Sequence, residues 1–208
     1  GVSVSKDGYY QYLDDGRSSR SIAYWAPDRV PPDYFSTLEK PSIFVLRKKG
    51  EAAVLVELAL RYRVAKDGTP LEVSLETGRV VAAGQGDVKF ECWSDAPSQE
   101  EWRQMALKGV QPPHYNWRWR LSAPGGGFAP RKDKFFFEAP ADGYEETLEI
   151  AMLKDAQQWR SSDRRELFVK TKSGKYARLE FRLDTFNETS AFHNDGYLNP
   201  SGSRNLES

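Results

Sequence analysis

The sequence predicts an all-β fold: an antiparallel β-sandwich, jelly-roll or immunoglobulin-like, with one short flanking helix. Three observations predict it. Apolar and polar residues alternate along about ten short segments, as in strands with one buried and one exposed face. Gly, Pro and Asp separate these segments at short intervals, which indicates tight turns. A single segment carries both the start and the stop signals of a helix.

The longest alternation runs from Val54 to Val64. One face carries only apolar and aromatic side chains, those of Val54, Val56, Leu58, Leu60, Tyr62 and Val64. The other face carries Leu55, Glu57, Ala59, Arg61 and Arg63. The Ala, Leu and Glu residues of this segment also favour helix, but the sustained period of two favours a strand. We therefore expect one antiparallel sheet to include this segment and the hairpins that follow it.

The stretch 115–153 is the most informative part of the chain. Trp117 and Trp119 alternate with Arg118 and Arg120, which predicts a core strand with both indole rings inside. The three glycines that follow predict a loop. Two further strands are expected in this stretch, at 135–137 and at 148–152.

Residues 98–108 are predicted to form the single helix. Ser98 and Glu101 have the spacing of a capping box, in which each satisfies a backbone amide of the other. Trp102 begins an apolar face with helical spacing. Gly109 is expected to end the helix, which would then lie on the flank of a sheet.

Three regions are expected along the chain. Residues 1–40 form an aromatic-rich arm with edge strands, 41–185 form the sandwich, and 186–208 form a tail that wraps the surface or is disordered. The arm could instead provide an aromatic ligand-binding lip. The candidate residues for such a lip are Tyr9, Tyr10, Tyr12, Tyr24 and Trp25.

The charge balance limits the possible partners. The chain has 30 Lys and Arg residues and 30 Asp and Glu residues, so its formal charge is zero. A protein that binds nucleic acid or an anionic membrane mainly through charge requires a basic excess, so neither partner is expected. No apolar run approaches the roughly 18 residues of a membrane-spanning helix.

Metal and cofactor chemistry has little support in the sequence. Cys92 is the only cysteine, and its place in an alternating segment predicts a buried thiol. With two histidines and no metal-binding motif, no transition metal or other cofactor is expected. Calcium is conceivable at Asp14-Asp15-Gly16 or Asn194-Asp195-Gly196, although ordinary Asx turns are the favoured interpretation of both.

Catalytic motifs are also missing from the sequence. It contains no nucleophile elbow and no Cys-His pair in a recognisable catalytic context. The glycines at 125–127 lack the Lys-Ser/Thr pair and the helix of a phosphate-binding loop. We therefore expect a protein that is not an enzyme.

Several phrases resemble those of a group of uncharacterised bacterial β-rich proteins. They lie at 46–51, 67–70, 124–127, 137–144 and 199–207. The resemblance implies a non-enzymatic β-domain outside the cytoplasm and provides no catalytic residues. The chain begins with Gly1 rather than Met, so a removed signal peptide or anchor is compatible with this expectation.

These observations favour an exported, non-catalytic structural or protein-interaction subunit that binds a protein partner or assembles with itself. One alternative is a carbohydrate-binding module that uses exposed Trp and Tyr rings. A second alternative is a β-sandwich enzyme that cleaves a glycan or a peptide, with a carboxylate near His114.

Overall fold

The computed structural model of this 208-residue chain describes residues 6–10, 46–133, 135–185 and 190–208. The chain divides into two compact units, Gly1–Glu51 and Ala52–Ser208. In the first unit, β1 (Tyr9–Tyr10) pairs with β2 (Arg47–Lys48) in an antiparallel sense.

The described part of the second unit consists of strands and one short helix. In chain order these are β3 (Val56–Val64), β4 (Leu71–Ser74), β5 (Arg79–Val81), β6 (Val88–Ser94), α1 (Gln99–Leu107), β7 (Trp117–Ser122), β8 (Gly127–Pro130), β9 (Thr147–Met152), β10 (Ser162–Lys170), β11 (Tyr176–Asp184) and β12 (Ser190–Asn199).

The strands form two five-stranded antiparallel sheets. Sheet 1 has the order β3-β12-β11-β10-β8, and sheet 2 has the order β5-β4-β6-β7-β9. Phe90 of sheet 2 packs against two rings of sheet 1, with centroid distances of 4.0 Å to Phe192 and 6.1 Å to Phe181. The predicted all-β antiparallel sandwich with one short helix is therefore confirmed.

The strand β7 provides the centre of sheet 2. Trp117 and Trp119 are buried as predicted, and the Trp117 Nε1 donates a hydrogen bond to the Arg160 carbonyl at 2.8 Å. Arg118 and Arg120 lie on the opposite, outer face, since successive strand residues point to opposite sides. The Trp-Arg-Trp-Arg sequence is thus a core strand rather than a recognition surface.

The predicted strand at 54–64 is confirmed as β3, with a later start. Leu58, Leu60 and Val64 are buried, but Val54 and Val56 are exposed. Burial begins only where β3 lies opposite the sheet 2 core, which local alternation cannot indicate.

The helix prediction is confirmed as α1. Ser98 and Glu101 form the expected reciprocal capping box. No residue of α1 is buried, although the half-buried Trp102 packs against the main core. The helix therefore covers a flank of the sandwich and contributes little to its interior.

Two predictions for 125–137 were wrong. Residues 135–137 are not part of a strand, and Phe136 is half exposed. Gly127, predicted as loop, begins β8 instead. A Cβ on Gly126 would lie 1.9 Å from the Lys170 carbonyl oxygen, so glycine permits close approach of backbones here.

The tail prediction was wrong for 190–199. This segment forms β12, which pairs with β3 on one side and β11 on the other. The predicted Asx turn at 194–196 lies in the middle of this strand, where a Cβ on Gly196 would be 2.2 Å from the Arg178 carbonyl oxygen. Pairing on both sides overrides the weak strand preference of Asn, Asp and Gly.

The last residues of the chain also pack on sheet 1. Leu206 is fully buried with Ala129, Ala139 and Phe168 in a second, smaller apolar cluster. The Leu206 amide donates to the Phe137 carbonyl at 2.8 Å. This segment therefore adds to the buried apolar surface of the second unit.

Candidate functional site

The structure describes only part of the predicted aromatic lip. Tyr12, Tyr24 and Trp25 lie outside the described residues. Tyr9 and Tyr10 are neighbours in β1, so their side chains point to opposite faces and cannot form one flat platform. The Tyr9 ring lies against the Lys6 ammonium at 4.5 Å, and the Tyr10 ring lies 5.3 Å from that of Lys49. Ligand binding by the arm stays a prediction.

The described tryptophans all contact other protein groups. Trp117 and Trp119 are buried, and the rest are half-buried. The Trp93 ring stacks with the Arg118 guanidinium at 4.2 Å, and the Trp159 ring stacks with His114 at 4.3 Å. A sugar-binding platform requires an uncovered ring face. Trp102 lines an open cavity of about 610 Å³ on α1, so the carbohydrate-binding alternative stays a prediction.

Cys92 is a buried thiol, as predicted. Its Sγ lies 3.0 Å from the Ser190 Oγ, which joins β6 of sheet 2 to β12 of sheet 1. Burial raises the pKa of Cys92 to about 11. The thiol is therefore protonated at neutral pH, whereas a nucleophilic cysteine requires a lowered pKa.

Among the described residues, three carboxyl groups have shifted pKa values, and all three shifts are downward. Hydrogen bonds from Thr69 lower the pKa of Asp67, backbone amides of the 84–86 loop lower that of Glu72, and the Ser98 cap lowers that of Glu101. A general acid acting near neutral pH requires the opposite shift. These carboxylates therefore stabilise turns and a helix end.

A cleft of about 400 Å³ lies where β8 ends beside β10. Phe128 and Leu148 form part of its apolar wall, and three arginines line it. Each arginine is paired with a carboxylate, so the cleft carries little unbalanced charge. The pairs are Arg131 with Glu166 (3.5 Å), Arg164 with Glu180 (2.6 Å) and Arg165 with Asp163 (2.6 Å).

The acidic and metal-ligating residues are the first feature to consider for a metal site. The described ranges contain no group of three or more His, Cys, Asp and Glu residues placed to hold a metal ion. Asp195, from one predicted calcium site, forms an exposed ion pair with Arg61 at 3.8 Å, and the other predicted site, 14–16, lies outside the described residues.

Of the helices that the structure describes, none has the length and hydropathy needed to cross a bilayer.

The outer face of sheet 1 carries charges in rows that cross the strands. The register places Arg61, His193, Arg182 and Arg164 opposite one another in one row. The neighbouring row is acidic and consists of Asp195, Glu180 and Glu166. Ion pairs join the two rows, as between Arg164 and Glu180 at 2.6 Å. The face is therefore internally neutralised and offers no excess charge to a polyanion.

The outer edge of β3 is the feature that best fits a binding site. Within the described residues β3 pairs with β12 alone, and with nine residues it is the longest edge strand of the two five-stranded sheets. It contains neither Gly nor Pro, whereas β5 has three residues and β8 ends at Pro130. A long, regular and unpaired edge can accept a further strand.

The side chains along this edge are accessible. Glu57, Ala59, Arg61 and Arg63 are exposed on the outer face of β3. The Glu57 and Arg63 side chains form no hydrogen bond or ion pair in the described part of the chain. Both are therefore available to charged groups on an added strand.

Comparison with known protein families, curated proteins and solved structures finds no match.

The sequence pattern predicted which side chains of β3 are exposed, but it did not predict that β3 is an edge strand. The alternation already placed Glu57 and Arg63 on the polar side. No local pattern indicates that the strand lies at an edge, because edge position depends on β12, which is distant in sequence.

Proposed function

We propose that this protein is a non-catalytic β-sandwich subunit that assembles with a protein partner by strand addition to β3. The single observation that carries this proposal is the nine-residue β3 edge, which is unpaired within the described residues. Strand addition forms main-chain hydrogen bonds along the whole edge, and side chains next to the edge provide specificity.

The residues next to the edge fit such a role. Three charged side chains, those of Glu57, Arg61 and Arg63, lie on the outer face of β3. On the inner face, Leu58 and Leu60 are already buried, which keeps β3 rigid and in one register. A partner strand would therefore meet a preformed template with a negative charge at one end and two positive charges at the other.

Isolation of native complexes from the organism that makes the protein tests this proposal. We expect native mass spectrometry to find the chain in a complex. Hydrogen exchange should show slower exchange of β3 amides in the complex than in the free chain, while the short edge strand β5 of sheet 2 is unchanged. Recovery of the free monomer alone, or protection elsewhere with β3 unaffected, would contradict the proposal.

Export is part of the same proposal, and it rests on the sequence resemblance alone. Fractionation of source cells measures it directly. Recovery of the protein in the cytoplasmic fraction would contradict export without affecting strand addition.

A further inference from the structure

We infer that the strand added to β3 is β3 of a second copy of this chain. This inference rests on the proposed strand addition and identifies the partner. Two copies related by a two-fold axis would pair antiparallel and join two five-stranded sheets into one ten-stranded sheet. The support comes from the order of residues along the strand.

Antiparallel pairing of β3 with itself has one register in which all nine residues overlap. In that register the axis passes through Leu60, so Val56 lies opposite Val64 of the second copy. Directly opposite residues of antiparallel strands point to the same side. Outer-face residues therefore meet outer-face residues, and the inner face stays continuous.

The charges of β3 are complementary in this register. Glu57 of each copy lies opposite Arg63 of the other, which forms two equivalent ion pairs across the axis. Arg61 lies opposite Ala59, so no like charges are directly opposed. A shift of the axis to Arg61 would place the two Arg61 side chains opposite each other, which is unfavourable.

The side chains involved are free to form these contacts. Glu57 and Arg63 are exposed, and neither side chain has a hydrogen bond or ion pair in the described ranges. Their neighbours on β12 are uncharged, with Tyr197 beside Glu57 and Ala191 beside Arg63. No competing ion pair therefore has to be broken when the strands pair.

The inner face is complementary as well. Leu58 lies opposite Tyr62 of the second copy, and the two Leu60 side chains meet at the axis. These residues already belong to the core or pack against it. The pairing thus continues the apolar layer of sheet 1 without exposing or burying a charge on that face.

Sedimentation equilibrium of the purified full chain tests the inference. The wild-type chain should show a monomer–dimer equilibrium that weakens with added salt, because exposed ion pairs are screened. Glu57→Arg or Arg63→Glu alone places like charges opposite each other twice per dimer. Cross-strand pairs contribute roughly 0.2–1 kcal/mol each, so each variant should raise the dimer dissociation constant on the order of tenfold.

The charge swap separates pairing from a general loss of stability. The double variant Glu57→Arg/Arg63→Glu restores opposite charges and should recover the wild-type dissociation constant. An equimolar mixture of the two single variants should form heterodimers in preference to either homodimer. Arg79→Glu, an exposed change on β5 of sheet 2, is the matched control and should leave the constant unchanged.

Several outcomes would overturn the inference. They are a wild-type chain that stays monomeric at all concentrations, single variants that dimerise as well as wild type, and a double variant weaker than both. If the purified chain is monomeric while complexes from the source organism contain a different protein on β3, self-pairing fails and the proposed strand addition stands. If neither assembly forms, both fail.

Discussion

At the residue scale, the buried Cys92 thiol makes the stability of the folded state depend on pH. The thiol is buried between the two sheets and contacts only the Ser190 hydroxyl through a hydrogen bond. Burial raises the pKa of the thiol to about 11. Burial also raises the pKa of Tyr62 and of Tyr115, so several groups favour the protonated form in the folded state.

The stability of the folded state should therefore fall in alkaline solution. The unfolded thiol ionises near pH 8.5. Below that pH the thiol is protonated in both the folded and the unfolded state, so it does not make the free energy of unfolding depend on pH. Between about pH 8.5 and the folded pKa of about 11, only the unfolded state releases this proton, and the free energy of unfolding decreases with pH. One such group contributes a slope of at most about 1.4 kcal/mol per pH unit.

Urea unfolding across this pH range measures the slope. Cys92→Ala should be less stable at neutral pH, because it leaves a small cavity and an unpaired Ser190 hydroxyl. Its stability should fall less steeply between pH 8.5 and 11 than that of the wild type. An identical slope in both proteins would contradict the assignment to Cys92.

Gly68 is a second residue whose identity is fixed by its surroundings. It has a positive φ of +87°, and a Cβ there would lie 2.3 Å from the Trp93 Nε1. We expect Gly68→Ala to be about 1–3 kcal/mol more destabilising than Gly84→Ala, because it adds overpacking to backbone strain. Gly84 is the matched control, with φ of +80° and no atom within 4 Å of a Cβ placed there. Equal losses in urea unfolding would show that the Trp93 ring can move aside.

At the element scale, α1 has strong end signals and little packing. Ser98→Ala removes the side-chain acceptor for the Glu101 amide, which costs about 1 kcal/mol of local helix stability. Since no α1 residue is buried, we expect faster amide exchange within α1 and a change in global unfolding below about 0.5 kcal/mol. Ser98→Asp, which retains an acceptor, should exchange like wild type. A large global loss would mean that α1 supports the sandwich.

The end of the chain is the opposite case, with weak local signals and strong packing. Leu206 is fully buried, whereas Leu153 is largely exposed. Leu206→Ala should therefore lower the free energy of unfolding by about 2–5 kcal/mol. The same substitution at Leu153 should change it by less than about 0.5 kcal/mol. Similar small effects at both positions would indicate that the segment after β12 is dispensable.

At the scale of the whole molecule, aromatic contacts between the sheets hold the sandwich together. Phe90 is fully buried and packs against both Phe181 and Phe192. Phe90→Ala should cost about 3–5 kcal/mol, whereas Phe136→Ala, at a half-exposed ring, should cost much less. Circular dichroism and tryptophan fluorescence should follow one transition if the sheets unfold together. Two separate transitions in the wild type would contradict a shared core.

Assembly is also a property of the whole molecule, because the position of a strand at a sheet edge depends on which other strands pair with it. The charge-swap series on β3 tests whether that edge joins two copies. Ligand binding by Tyr12, Tyr24 and Trp25 of the arm is a separate prediction, which glycan arrays and Trp25→Ala test.

The sequence by itself determined the fold class, the Trp-Arg-Trp-Arg core strand, the buried Cys92 and the capped helix. Each of these depends on interactions within a few residues or on a period that a single strand displays. The local sequence pattern was sufficient to predict an element wherever one of its faces is buried and the other is exposed to solvent.

Only the tertiary structure decided that the segment 190–199 is an inner strand and that β3 is an edge of the sheet formed by the described residues. It also showed that Gly127 begins a strand while the apolar 135–137 segment does not. For β12 and for β8 the deciding pairing partners include strands distant in the chain, β3 and β10 respectively. Backbone pairing between distant segments outweighs the local preferences of Gly, Asn and Phe, and no local sequence pattern reports it.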